Sequence, residues 1–156
     1  MAGEVEAVTT RVQSPDAPPT DTEPRFVAPD LIQIGAKGVP RLMGGKCASC
    51  GALSFPKRKV CGECLAMEIV DAPLSSEGVL YSYSLVHQAP KGWDLPYVLG
   101  YVDLPEGIRI LSRIEGALDQ LRVDGNVQLG VGRVGTDPVG NVLMSFIFKP
   151  GEGVPK

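Results

Sequence analysis

The chain has 156 residues, room for one ordinary domain or two very small ones, and no apolar run approaches the roughly 18 residues that a membrane-spanning helix needs. Its formal net charge is -3, and residues 1–30 hold six acidic and two basic side chains against twelve and thirteen in the remainder. The bulk of the chain is therefore nearly neutral, which argues against the basic footprint of a nucleic-acid binder. No basic stretch followed by an apolar one opens the sequence, so a secretory signal is not expected and a cytoplasmic location is.

Residues 1–30 read as a tail. Five prolines (Pro15, Pro18, Pro19, Pro24, Pro29) stand among Thr, Asp and Glu, and such a segment buries too little to offset the entropy of ordering it. A partner-wrapping arm is the other reading, with Phe26, Val27, Leu31, Ile32 and Ile34 as its anchors. Residues 31–70 hold the cysteines. Cys47, Cys50, Cys61 and Cys64 are the only four in the chain, and Leu53, Phe55 and Val60 between the two pairs suit short strands. Gly51 follows the second cysteine and Gly62 lies between the last two, where a tight metal-binding turn often requires positive φ.

From Glu77 the pattern turns β. Val79, Tyr81, Tyr83 and Leu85 alternate with Leu80, Ser82, Ser84 and Val86, which predicts a strand with one well-buried face. A Pro- and Gly-containing loop follows from Ala89 to Pro96, then a second strand from Tyr97 to Leu104. The short turn Pro105-Glu106-Gly107 predicts a hairpin into a third strand through Ile108, Ile110 and Ile114. Ala117 to Leu121 suits one helical turn. Asp124-Gly125 marks a turn before a fourth strand with Val127, Leu129 and Val131, and a last strand runs from Asn141 to Phe148. Five strands, with glycines inside the fourth, predict a small barrel over residues 71–150, with 151–156 a tail. Pattern alone leaves an OB barrel, an SH3-like barrel and a small sandwich open.

The Cys-x2-Cys, ten-residue, Cys-x2-Cys spacing is the sharpest chemical signal. Two intervening residues let both sulfurs of a pair face one ion, and the second pair completes a tetrahedron. Zn2+ accepts an all-thiolate shell, which leaves no open coordination position and so supports structure rather than water activation. A rubredoxin-like iron site could use the same ligands, whereas disulfides do not suit tight pairing in a cytosolic chain.

Elsewhere the chemistry is sparse. His87 is the only histidine, which leaves no histidine-based acid/base pair, and the cysteines are committed to metal. No catalytic residue is expected. Lys57, Arg58 and Lys59 form a basic tip that could meet the phosphates of coenzyme A, or be a solvated loop. Trp93 and Tyr97 flank the long loop and suit either a protein interface or packing over the barrel mouth.

Taken in order, Cys47 to Gly51, Phe55-Pro56, Gly78 to His87, Pro96 to Val98 and Glu106 to Ser112 resemble the rubredoxin-like zinc-ribbon plus OB-fold proteins associated with acyl-CoA enzymes. The resemblance covers roughly residues 40–150. It implies a mainly β fold, an N-terminal ribbon followed by a five-stranded OB-fold barrel. It also implies a zinc-binding accessory subunit, non-catalytic alone, of a thiolase-type acyl-CoA complex, with an aldolase or enoyl-CoA hydratase as the alternative catalytic partner. The partner would bring the catalytic cysteine and histidines, and this chain one wall of the acyl-CoA site, with no role for nucleic acid or membrane. A single-stranded nucleic-acid binder is the reading from another class. Family members usually begin with an amphipathic helix before the ribbon, and residues 25–45 read poorly as that helix. They also often carry Pro after the third cysteine, where this chain has Gly62.

Overall fold

The computed structural model describes residues 24–151. Residues 1–23 of the expected N-terminal tail and residues 152–156 of the expected C-terminal one lie outside the described residues. Strand pairing begins at Arg25, inside the segment read as a tail: β1 (Arg25–Phe26) is followed by a 3-10 turn (Pro29–Leu31), β2 (Ile32–Ile34) and β3 (Pro40–Cys47). The stretch read as a poor helix is thus extended chain, as its Gly and Pro content favours.

The ribbon is built on β3. It pairs antiparallel with β2, with the short β4 (Leu53–Ser54) and with β5 (Ile69–Pro73). The barrel strands are β6 (Glu77–Val86), β7 (Tyr97–Asp103), β8 (Arg109–Ile114), β9 (Asn126–Thr136) and β10 (Val142–Pro150). The sheet runs β6 to β7 to β8 by antiparallel pairing, and β8 meets β10 in parallel at Arg113–Ile114. β10 pairs with β9, and β9 returns to β6 at Glu77–Val79, so the five strands close on themselves. This is the five-stranded OB barrel, and the alternatives left open by pattern fall away. Among the described residues no helix is long and apolar enough to cross a membrane, and Ala117 to Leu121 form hydrogen-bonded turns rather than a helix.

Two irregularities shape the barrel. Leu80 is opposite Val102 but Ser82 is opposite Tyr101, so Tyr81 is an extra residue in β6. Such a bulge re-aims the side chains that follow it. Gly78 and Leu80 point inward, whereas Val79, Tyr81, Tyr83 and Leu85 are all substantially exposed. The residues with the stronger apolar alternation therefore do not form the buried face. In β9 the partners step from Gly135–Leu143 to Arg133–Met144, which leaves Val134 as the extra residue. Gly132 lies beside Ile147, whose Cδ1 stands 2.6 Å from where a Cβ at 132 would be. The expected glycine signal in the fourth strand is a close approach of the adjacent strand here.

The core belongs to both units. Leu80, Val102, Ile110, Ile114 and Phe148 fill the barrel, and Leu42 of β3 and Leu74 of the connecting segment are buried in the same cluster. Phe55 of the ribbon meets Phe146 of β10 edge to face, with ring centroids 5.8 Å apart, a geometry that aromatic quadrupoles favour. The link is also polar: the Ser75 backbone N–H and Oγ both donate to Glu106 Oε1, at 2.6 and 2.7 Å, and tie the connecting segment to the β7–β8 turn.

A ribbon strand that supplies barrel core makes a specific prediction. Leu42 is wholly buried, and Leu42→Ala should cost about 2–5 kcal/mol from lost burial and the cavity left behind. Urea unfolding followed at Trp93, the only tryptophan, should show that loss in the barrel. A change confined to metal retention, with the tryptophan transition unmoved, would mean the two units unfold independently.

Candidate metal centre

The two cysteine pairs sit in equivalent turns. Cys47 ends β3, its N–H donates to Ala52 O, and Gly51 N–H donates back to Cys47 O. In the second turn Cys61 N–H donates to Ala66 O and Leu65 N–H to Cys61 O. The residue after each second cysteine is in the left-handed region, Gly51 at φ 76° and Leu65 at φ 62°. Glycine adopts that conformation without penalty, whereas leucine pays about 1–2 kcal/mol for it. The expectation of a positive φ is met at Gly51, but in the second turn it falls on Leu65 and not on Gly62.

These turns bring the four sulfurs within 4.8 Å of one another. Cys47 Sγ lies 3.6 Å from Cys64 Sγ, and Cys50 Sγ lies 3.5 Å from Cys61 Sγ. Sulfurs at 2.3 Å from a tetrahedral ion stand about 3.8 Å apart, so the residues fit a four-thiolate metal site. Cys47 and Cys61 are buried, Cys50 and Cys64 exposed.

Without a cation the four thiols are electrostatically unequal. The Cys50 N–H, followed by that of Ser49, stabilises the Cys47 thiolate and lowers its pKa to about 6. The N–H groups of Cys64 and Glu63 likewise lower Cys61. Cys50 receives an N–H from Ala52, but the sulfurs of Cys64 and Cys61 beside it push it up to about 12. Cys64, despite the Ala66 N–H, is also raised, with Cys47 among the causes. Crowded thiolates repel one another, and a bound cation supplies the compensating charge.

The basic tip divides its tasks. Lys57 forms an ion pair with Asp71 at 2.7 Å. Arg58 Nη1 stands 2.9 Å from where a Cβ on Gly62 would be, over the second cysteine turn. It also lines a cleft of about 260 Å3 whose far wall is Gly107, Ile108 and Arg109 of the barrel. Lys59 is exposed. His87 lies just beyond β6 and is exposed as well. Trp93 bridges to Gly135 and its ring lies 6.3 Å from that of Tyr97, so the long loop is fastened to β9. Sequence reasoning missed Arg113, which donates to the Val134 and Asp94 carbonyls and holds that loop in place; its partners are backbone carbonyls distant in the chain, which no local pattern marks.

Comparison with known proteins adds two family matches. Residues 35–68 match the model described as "ChsH2, rubredoxin-like zinc ribbon domain", and residues 71–132 match "ChsH2, C-terminal OB-fold domain". The chain is 42% identical over 125 residues to the "Benzoylsuccinyl-CoA thiolase subunit BbsA" of Thauera aromatica, covering 80% of this chain and 87% of that one. It is 33% identical over 147 residues to the protein of the same name from Geobacter metallireducens, covering 94% and 95%. Among solved structures it resembles "Ltp2-ChsH2(DUF35) aldolase", with a TM-score of 0.58, 28% identity, and coverage of 70% of this chain and 84% of that one.

Two predictions follow from this geometry. Metal binding requires deprotonated sulfurs, so protons compete with the ion and retention falls as pH falls. Metal released to a colorimetric chelator should rise on acidification, with a stoichiometry of one ion per chain; release that does not depend on pH would contradict four-thiolate ligation. Leu65→Gly should raise thermal stability by about 0.5 kcal/mol by relieving the left-handed leucine, and Gly51→Ala should lower it by about 1 kcal/mol. A loss of stability in Leu65→Gly would show that the leucine side chain, not its backbone, matters there.

Proposed function

The chain belongs to the family of rubredoxin-like zinc ribbons joined to OB-fold barrels represented by ChsH2, and on that premise we propose that it is a zinc-binding accessory subunit of a thiolase-type acyl-CoA enzyme complex. The observation that carries this reading is the commitment of all four cysteines to one closed site. Thiolytic acyl transfer needs an activated nucleophile with an adjacent base. A chain whose every cysteine holds metal, and whose single histidine lies outside that site, leaves both roles to another subunit. The similarity to two benzoylsuccinyl-CoA thiolase subunits supports a thiolase as the partner. The structural likeness to an aldolase complex supports an acyl-CoA aldolase as the second reading.

In this assignment the ion is Zn2+, held by Cys47, Cys50, Cys61 and Cys64. When bound it supplies a closed, redox-inert shell that folds the ribbon. Arg58 and Lys59 face the phosphates of coenzyme A in the complex, while Lys57 stays with Asp71. The ribbon and barrel together form one wall of the site in which the partner's acyl-CoA is held.

The test is capture of the C-terminally tagged chain from its native lysate, with mass spectrometry of whatever co-purifies at near-equal amount. A thiolase is expected, and the recovered complex should cleave a 3-oxoacyl-CoA with added coenzyme A. Arg58→Ala combined with Lys59→Ala should raise KM for the acyl-CoA and leave kcat unchanged. Thiolytic cleavage by the purified chain alone would overturn the proposal.

A further inference from the structure

The outer surface of β6, β7 and β8 carries a cluster of exposed apolar side chains where a solvated face of an antiparallel sheet is ordinarily polar. Val102 and Ile110 face the interior, so Tyr101 and Leu111 between their strand neighbours face out, directly opposite each other. Tyr81 is thrust onto the same surface by the bulge. Tyr81 is 48% exposed, Tyr101 44% and Leu111 49%. With the partly exposed Val79 they form an apolar cluster on one surface, and the largest apolar patch of a monomer is commonly functional.

The charges on this surface decide what can cover it. Arg109 makes a two-pronged ion pair with Asp103, at 2.6 and 2.8 Å, and its guanidinium lies 3.4 Å from the centre of the Tyr81 ring. Those hydrogen bonds hold the Asp103 carboxyl below its ordinary range, so the pair is a neutral unit at working pH. Arg113 is spent on backbone carbonyls and lies 4.8 Å from the Tyr97 ring centre. A single-stranded nucleic acid needs unpaired cations for phosphates and open ring faces for bases. Here Arg109 is paired with Asp103 and already lies over the Tyr81 ring, and Arg113 is held by carbonyls against the Tyr97 ring, so neither is free for a phosphate. An electrically neutral apolar patch with a polar edge is the make-up of a protein interface centre.

We propose that this face, centred on Tyr81, Tyr101 and Leu111, is where the catalytic subunit docks, through a neutral apolar surface of its own. The inference rests on the accessory-subunit reading above. A standard interface removes about 800 Å2 from each partner, so the patch supplies its apolar centre, and the Asp103–Arg109 pair stands at its rim. Half-exposed side chains carry little of the barrel's stability, so the face can be altered without unfolding the chain.

The test uses the full chain and the catalytic subunit recovered in the capture experiment, with affinity measured by calorimetry. Leu111→Glu and Tyr101→Glu should each weaken binding roughly 30-fold or more, as loss of a central anchor does. Tyr101→Ala should weaken it less, and Met67→Glu, on the exposed tip of the ribbon, should leave it unchanged. Metal content and tryptophan fluorescence should match the unaltered chain in all four. If the unaltered chain captures no acyl-CoA enzyme, the accessory-subunit reading fails and this inference with it. If it binds and Leu111→Glu binds equally well, or Met67→Glu alone is defective, that reading stands and the assignment of this face is overturned. Dimerisation of the isolated chain abolished by Leu111→Glu, or an oligonucleotide binding to this face, would overturn it as well.

Discussion

Four sulfur atoms within 4.8 Å of one another stand in for a core that the ribbon is too short to build. β4 has two residues and the second cysteine turn lies in no strand at all. Backbone hydrogen bonds alone leave such a segment marginal, because a few residues cannot bury enough apolar surface. The sulfurs draw two turns together, and everything that the ribbon presents follows from that: the left-handed Leu65, the Arg58 guanidinium over Gly62, and the cleft between ribbon and barrel. The same arrangement disposes of the chain's nucleophiles. Cysteines that close a tetrahedron around an ion would be unavailable for acyl transfer, so in the accessory-subunit reading one arrangement accounts for both the fold of the ribbon and the need for a catalytic partner.

The barrel's contribution is orientation. Leu42 and Leu74 belong to the barrel's core cluster, Phe55 rests on Phe146, and Ser75 is held by Glu106. Domains joined by small polar interfaces move relative to one another; here the ribbon shares apolar core with the barrel. A partner engaging the outer sheet would therefore meet a ribbon already set at one angle.

Much of this was legible in the sequence, and the rest was not for identifiable reasons. Ligand spacing is local, so Cys47, Cys50, Cys61 and Cys64 announced a metal site without reference to the fold. The barrel strands showed as period-two runs, and the Pro105–Gly107 turn as a hairpin. The burial of β6 was not legible, because the Tyr81 bulge changes which residues face inward and no local signal marks it. The second positive-φ residue was hidden, since a leucine occupies it. The edge strand β1 was hidden in a proline-rich stretch, because its partner lies at Leu143–Met144 and no local pattern reports pairing at such separation. Between OB barrel, SH3-like barrel and sandwich, the deciding fact is the β8–β10 parallel contact, which is again non-local. The resemblance to ribbon-plus-barrel proteins supplied what periodicity could not.

That edge strand also constrains the order of events during synthesis. Arg25–Phe26 lies parallel to Leu143–Met144 on β10, while the chain between them makes the whole ribbon and four barrel strands. The ribbon's own strand partners are all in place once β5 has been made. β1 cannot be seated until the ribosome has produced β10. A nascent chain therefore passes through a stage in which all four cysteines have been made while Arg25–Phe26 still lacks its strand partner. Its final fastening comes with the strand that also closes the barrel, so the two ends of the described chain are locked in a single late step.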